Sequence, residues 1–185
     1  MKIVLPKDTI ITEDIILKVL EKRKSEVSRL LKLVDYYKGN HKILNRTKDE
    51  DKANNKVTHP YPQYITDTLV SYVFGNAIVY RANEESTNEE LQMILADNSV
   101  ASQDIEIARD SSIFGKSYEL HYVDEDGEPR FHKVPAMDID LIVDDTIEEN
   151  IIGSLRTYPC YDIIEDKKFF TVEFYDDSVK RVYKA

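Results

Sequence analysis

The sequence has no tryptophan, a single cysteine and five glycines in 185 residues. With Cys160 alone, no disulfide can form within the chain, which points to a reducing compartment such as a cytoplasm. Five scattered glycines leave no Gly-rich loop to cradle a phosphate. No apolar run approaches the ~20 residues that a membrane-spanning helix needs, so no membrane contact is expected. The opening residues 1–8 have too short an apolar core for a signal peptide. Ser111-Ser112-Ile113-Phe114-Gly115 does not fit the Gly-x-Ser-x-Gly pattern of a nucleophile elbow.

What the sequence does have is charge: 32% of its residues are charged, against 42% hydrophobic, and the net charge is −10. The charge is unevenly placed along the chain. Residues 1–80 hold 14 Lys/Arg and 10 Asp/Glu, whereas residues 81–185 hold 11 and 25. An acidic second part repels phosphate, so tight nucleic-acid binding by it is not expected. The basic stretch Lys18–Lys56 reads as a solvated helix face followed by a polar loop, with contact to an acidic neighbour or nucleic acid as the alternative. The length suits one domain with a real core, or two small ones.

Periodicity divides the chain into a helical half and a strand half. Thr12 is placed to cap a first helix, with Glu13 and Asp14 in its first turn. Ile16, Leu20, Val27, Leu31 and Val34 mark an apolar stripe along it, widened by Val19 and Leu30, and Gly39 marks its end. Residues 40–57 read as a long polar loop, most solvated over residues 48–52. Pro60 and Pro62 fit the first turn of a second helix whose stripe is Ile65, Leu69 and Tyr72, stopped by Gly75. A short strand is expected over Ala77–Arg81. Thr87 and Glu90 have capping-box spacing at the start of a third helix ending near Asp97. A fourth helix runs from about Ser99 to Phe114, with Ala101, Ile105, Ala108 and Ser112 on one face, and Gly115 stops it.

From residue 116 the period becomes that of strands. Tyr118–Val123 and Arg130–Val134 form a hairpin around Asp126-Gly127. A two-residue turn there pairs Tyr122 with Phe131 and His121 with His132. Ile139–Val143, Ile151–Tyr158, Lys168–Tyr175 and Val179–Tyr183 continue as an antiparallel meander. The chain stops directly after that last strand, as expected of a cut inside a larger protein.

Chemistry is scarce. His121 and His132, paired in that register, could share a metal with Glu119 diagonally near, but a site needs three or four ligands. Asp138, Asp140, Asp144 and Asp145 could hold a divalent cation, with Glu149 at an EF-hand's distal position. Ile142 and Val143 then stand where a ligand and a glycine are required, so these acids read as turn residues. Nothing in sequence activates Cys160. The expected catalytic, cofactor-binding and metal residues are therefore none, with a metal-dependent hydrolase built on His121, His132 and the Asp138–Asp145 acids as the weaker alternative.

Four segments in order carry a resemblance: residues 36–46 (YYKGNHKILNR), residues 54–80 (NNKVTHPYPQYITDTLVSYVFGNAIVY), residues 108–119 (ARDSSIFGKSYE) and residues 144–156 (DDTIEENIIGSLR). Together they resemble the N-terminal part of the portal proteins of tailed bacteriophages, of the siphophage and prophage type. The resemblance implies an α+β fold, helical first and then an antiparallel β-meander. It implies that residues 1–115 are the mainly helical part of a portal wing and residues 116–185 its β part, with stem, clip and crown absent. It further implies a non-enzymatic virion protein, made in the host cytoplasm and placed at one capsid vertex, where a subunit ring commonly of twelve passes double-stranded DNA without specific binding. The implied partners are other portal subunits, capsid and scaffold proteins, and, through regions not present here, the terminase large subunit and head–tail connector proteins. A small independent phage adaptor is the alternative within the same biology.

Overall fold

The computed structural model describes residues 2–49 and 51–184. In chain order the elements are β1 (Lys2–Leu5), α1 (Glu13–Tyr37), α2 (Tyr61–Phe74), α3 (Glu85–Asp97), α4 (Val100–Phe114), β2 (Tyr118–Val123), β3 (Pro129–Val134), β4 (Ile139–Asp144), β5 (Ile151–Asp162), β6 (Lys167–Tyr175) and β7 (Lys180–Lys184). The α+β class holds, with the helices grouped first and the strands mainly antiparallel. The chain divides into two compact units, one of Met1–Arg29 with Met137–Ala185, the other of Leu30–Ala136.

The first unit is a five-stranded sheet in the order β1-β4-β5-β6-β7. β4 to β7 form the expected meander, but β1 adds a parallel strand beside β4, pairing Ile3 with Ile142. Nothing in a four-residue segment announces a partner some 140 residues away. The core is built by alternation: Ile142, Leu155, Val172 and Phe174 bury against Ile11, Ile16 and Val19. Ile16 and Val19 lie on the predicted stripe of α1, one turn apart. The start of α1 is as expected, with Ile16 donating to the Thr12 carbonyl and Glu13 and Asp14 in the first turn.

The second unit holds the end of α1, a polar loop, α2 to α4 and the β2–β3 hairpin. Gly39 terminates α1 at φ +74°, with its N–H donating to Tyr36 and the N–H of Asn40 reaching back to Asp35. That pair of bonds is a Schellman motif, which needs the left-handed residue that glycine supplies most cheaply. The loop contains one 3₁₀ turn, Lys42–Asn45, and closes on itself through Asn54 Nδ2 to the Arg46 carbonyl (3.1 Å) and Lys48 Nζ to the Ala53 carbonyl (2.9 Å). Glu50, within its expected most solvated part, lies outside the described residues.

Three local expectations are corrected. Residues 77–81 form no strand; they run as irregular chain, tied by Gln92 Nε2 to the Tyr80 carbonyl at 2.8 Å. Thr87 makes no capping box, because α3 begins earlier and places it inside the first turn. Asn88 instead accepts the Ala82 N–H at 3.2 Å.

The third correction concerns the hairpin. Its loop has three residues, and the register pairs His121 with Phe131, Tyr122 with Arg130 and Leu120 with His132. Asp124 causes the shift. Its Oδ1 accepts the N–H groups of Asp126 (3.0 Å) and Glu128 (2.9 Å), and its Oδ2 accepts from Arg130 Nε (2.7 Å). These bonds close a turn in which Gly127 takes φ +85° and completes the three-residue loop. Arg130 and the two amides hold the Asp124 carboxyl below its usual range, so it stays ionised for the role.

The outer edge of β3 is closed by two side-chain amides in place of a strand. Asn98 donates to the Pro129 carbonyl (3.0 Å) and accepts the Phe131 N–H (3.0 Å). Gln103 donates to the Phe131 carbonyl (2.6 Å) and accepts the Lys133 N–H (2.6 Å). An amide presents one donor and one acceptor side by side, as a peptide group does, so two of them mimic a strand's ladder.

Candidate functional site

The residues that sequence reading singled out are not brought together. One-residue slippage puts His121 and His132 at non-facing positions, since neighbouring residues of a strand point to opposite faces. His121 lies against the Phe131 ring, with centroids 5.7 Å apart, and its Nε2 is 2.7 Å from Glu119. Among the described residues no three His, Cys, Asp or Glu side chains are arranged to hold a metal ion.

Asp140, Asp144 and Asp145 of the Asp138–Asp145 run each have a separate structural task. Asp140 is buried and pairs with Arg23 Nε at 3.0 Å, while the Arg23 fork also donates to the Met137 carbonyl. Burial pushes the Asp138 carboxyl up, although Arg23 and Arg156 oppose it. Asp144 organises the β4–β5 turn by accepting from Thr146 Oγ1, the Thr146 and Asn150 N–H groups and Asn150 Nδ2. The Thr146 hydroxyl foremost, then Asn150, keep its carboxyl below the usual range against the pull of desolvation. Asp145 accepts the Lys7 N–H at 3.2 Å. Glu149 meets Lys2. Cys160, half-buried on β5, lies 3.3 Å from Thr171 Oγ1.

Two ionic clusters are structural in the same way. On the sheet, Glu173 is buried and takes Lys180 at 2.8 Å, Tyr175 at 2.7 Å and Arg156 at 3.3 Å. In the helical unit, Asp110 meets Lys133 at 3.0 Å, and Tyr37 donates to Asp67 at 2.9 Å. Burial raises the Asp110 carboxyl despite Lys133, and burial followed by the Asp67 bond raises the Tyr37 hydroxyl.

What stands out instead is a surface. α2 buries Thr66 and Val70 and turns its bulkiest residues to solvent. Tyr61, Ile65, Leu69 and Tyr72 are 65%, 63%, 52% and 88% exposed. Spaced i, i+4, i+8 and i+11, they form one continuous ridge. Ile65, Leu69 and Tyr72 of this ridge are the stripe that helical spacing marks in the sequence. The buried side is instead small, with Val70 beside Thr66, whose Oγ1 lies 3.2 Å from Ser112 Oγ. An exposed apolar ridge of this kind suits burial against a further surface. A short distance along the chain, Ile78, Val79, Leu95 and Val100, with Gln92 and Ser102 among them, line an open groove of about 520 Å³.

Comparison with known proteins places these exposed apolar faces and structural ion pairs in a family. The family described as phage portal protein, SPP1 Gp6-like, matches residues 16–184. The chain belongs to that family. It is similar to the portal protein of Bacillus phage SPP1, at 25% identity over 130 residues, a stretch covering 70% of this chain and 25% of that protein. The chain thus spans about a quarter of the length of the curated relative it matches. It is a portal-type structural protein of a phage, and portal proteins are components of the virion capsid. Among the described residues no helix is long and apolar enough to cross a membrane.

Proposed function

We propose that this chain forms the wing-type part of a portal subunit, working in a ring that conducts double-stranded DNA into and out of the capsid at one vertex. The observation that carries the reading is the family match across residues 16–184, which takes in both compact units. Three features support it. The apolar α2 ridge is a surface made for a protein neighbour. The net charge of −10 suits a body that does not grip passing phosphates. Asp124, Asp140, Asp144 and Glu173 serve turns and ion pairs, which suits a scaffold.

In this reading residues 1–115 and 116–185 belong to one wing, and stem, clip and crown correspond to parts of the longer relative outside the matched stretch. The terminase large subunit and the head–tail connector would meet those other parts. Capsid and scaffold proteins would meet the wing, and assembly would take place in the host cytoplasm before incorporation into the virion. Negative-stain electron microscopy of the full-length gene product tests this. Rings with a central hole are expected; monomers alone at high concentration would overturn it.

A further inference from the structure

We infer that Asn98 and Gln103 are a guard on the β2–β3 hairpin: they keep the outer edge of β3 from taking on a further strand, and that edge pairs with an extended segment once the guard is removed.

A strand turns the backbone groups of alternate residues to opposite edges. In β3 the set facing away from β2 belongs to residues 129, 131 and 133. Such a row is a template for another strand's ladder. Pro129 opens β3 and has no N–H to offer. Asn98 covers the Pro129 carbonyl and the Phe131 N–H, and Gln103 covers the Phe131 carbonyl and the Lys133 N–H. An incoming strand would need these same four groups, so it and the two side chains exclude one another.

Both amides are anchored apart from β3. Asn98 is 8% exposed at the end of α3, and its Nδ2 also donates to the Ile94 carbonyl at 2.8 Å. Gln103 Nε2 also donates to the Asn98 carbonyl at 2.9 Å, which ties one amide to the other. Lys133 adds a charge to the strand, drawn to Asp110 of α4 at 3.0 Å. A proline, a charged side chain and a cover over the polar groups are the means by which edge strands are kept from pairing. A hairpin of two strands is marginal alone, and a third strand would ordinarily support it. A third strand would also present an open edge of its own. Two side-chain amides support β3 and end the sheet, because they have no second row of donors and acceptors to pass on.

The test measures strand uptake, which a purely structural role for Gln103 does not predict. A fluorescein-labelled peptide of residues 117–124, whose sequence already pairs with the inner edge of β3, is titrated with the full-length gene product and followed by anisotropy. The unsubstituted protein should leave the signal unchanged, and Gln103→Met should bind the peptide saturably. Adding Lys133→Pro removes the outward N–H at that edge and should weaken binding about tenfold, the worth of one hydrogen bond. Hydrogen exchange in the unsubstituted protein should find the Phe131 and Lys133 N–H groups as protected as the ladder amides between β2 and β3. Folded Gln103→Met that takes up no peptide overturns the inference. Binding that Lys133→Pro leaves unchanged, or binding by the unsubstituted protein, overturns it as well. Should Gln103→Met not fold, the exchange measurement decides: fast exchange at both N–H groups means that the edge stands open, and the guard is refuted without any variant.

Discussion

At the scale of single residues, the buried acids Asp140, Asp110 and Glu173 are engaged inside their own units. Arg23 and Asp140 show the cost of disturbing one: both are almost fully buried and 3.0 Å apart. Removing one partner strands the other charge, so Asp140→Ala should destabilise the protein by about 3–5 kcal/mol. The double variant Arg23→Met with Asp140→Leu should recover most of that loss. Urea titration of the three variants measures it, and a single-variant loss no larger than that of the double would refute the account. Glu173 makes a prediction about pH. Burial pulls its carboxyl up, but the bonds from Lys180 and Tyr175 win and hold it below the usual value of 4.5. A depressed folded pKa stabilises above the unfolded value and is lost as pH falls through the folded one. Wild type should therefore lose this stability as pH drops below about 4.5, and Glu173→Gln should show a flatter profile there. Asp110, raised by burial, has the opposite sign: its contribution improves as pH falls. The acid limb of the unsubstituted protein is the sum of both kinds.

At the scale of elements, the sequence made helices legible and contacts less so. The ends of α1, α2 and α4 were written in Thr12, Gly39, Pro62 and Gly115, because caps are local. The meander β4–β7 was legible from alternation and turn acids. The β2–β3 register was not: two-residue and three-residue loops share the same Asp-Gly signal, and the choice lay in the bonds of Asp124 to Asp126, Glu128 and Arg130. That single slip removed the histidine pair. Isothermal titration with Zn²⁺ should show no stoichiometric binding to this hairpin, and nuclear Overhauser contacts should link His121 to Phe131 and not to His132. The face that α2 buries was likewise invisible, since periodicity finds a helix's apolar side but not whether this chain or another covers it. Nor could sequence show that Asn98 and Gln103 stand in for a strand beside β3. Gln103→Leu would leave the Phe131 carbonyl and Lys133 N–H without their partner, at a cost of roughly 2 kcal/mol. A thermal melt would expose the idea as wrong if Gln103→Leu matched wild type.

At the scale of the whole molecule, the charge asymmetry of the sequence does not survive folding. Along the chain, residues 1–80 are basic and residues 81–185 strongly acidic. In space, residues 1–29 join residues 137–185, so the first unit holds 13 Lys/Arg and 17 Asp/Glu, and the second holds 12 and 18. Both units are therefore mildly acidic, at −4 and −6. The parallel strand β1 and the first half of α1 bring Lys2, Lys7 and Arg23 among the acids of the sheet, where Lys2 meets Glu149 and Arg23 meets Asp140. Within the basic stretch Lys18–Lys56 that suggested a nucleic-acid contact, Arg23, Arg29 and Lys52 are taken by Asp140, Glu26 and Asp49. A DNA-binding surface would instead keep several Lys and Arg free to displace counterions, and its affinity would fall steeply with salt. Fluorescence anisotropy with a labelled duplex should accordingly show no saturable binding at ~50 mM salt, where electrostatic binding is strong, and no change toward ~200 mM. Saturable binding at the lower salt that vanished at the higher would show a cationic surface that the ion pairs do not account for, and would count against a body that lets DNA pass ungripped.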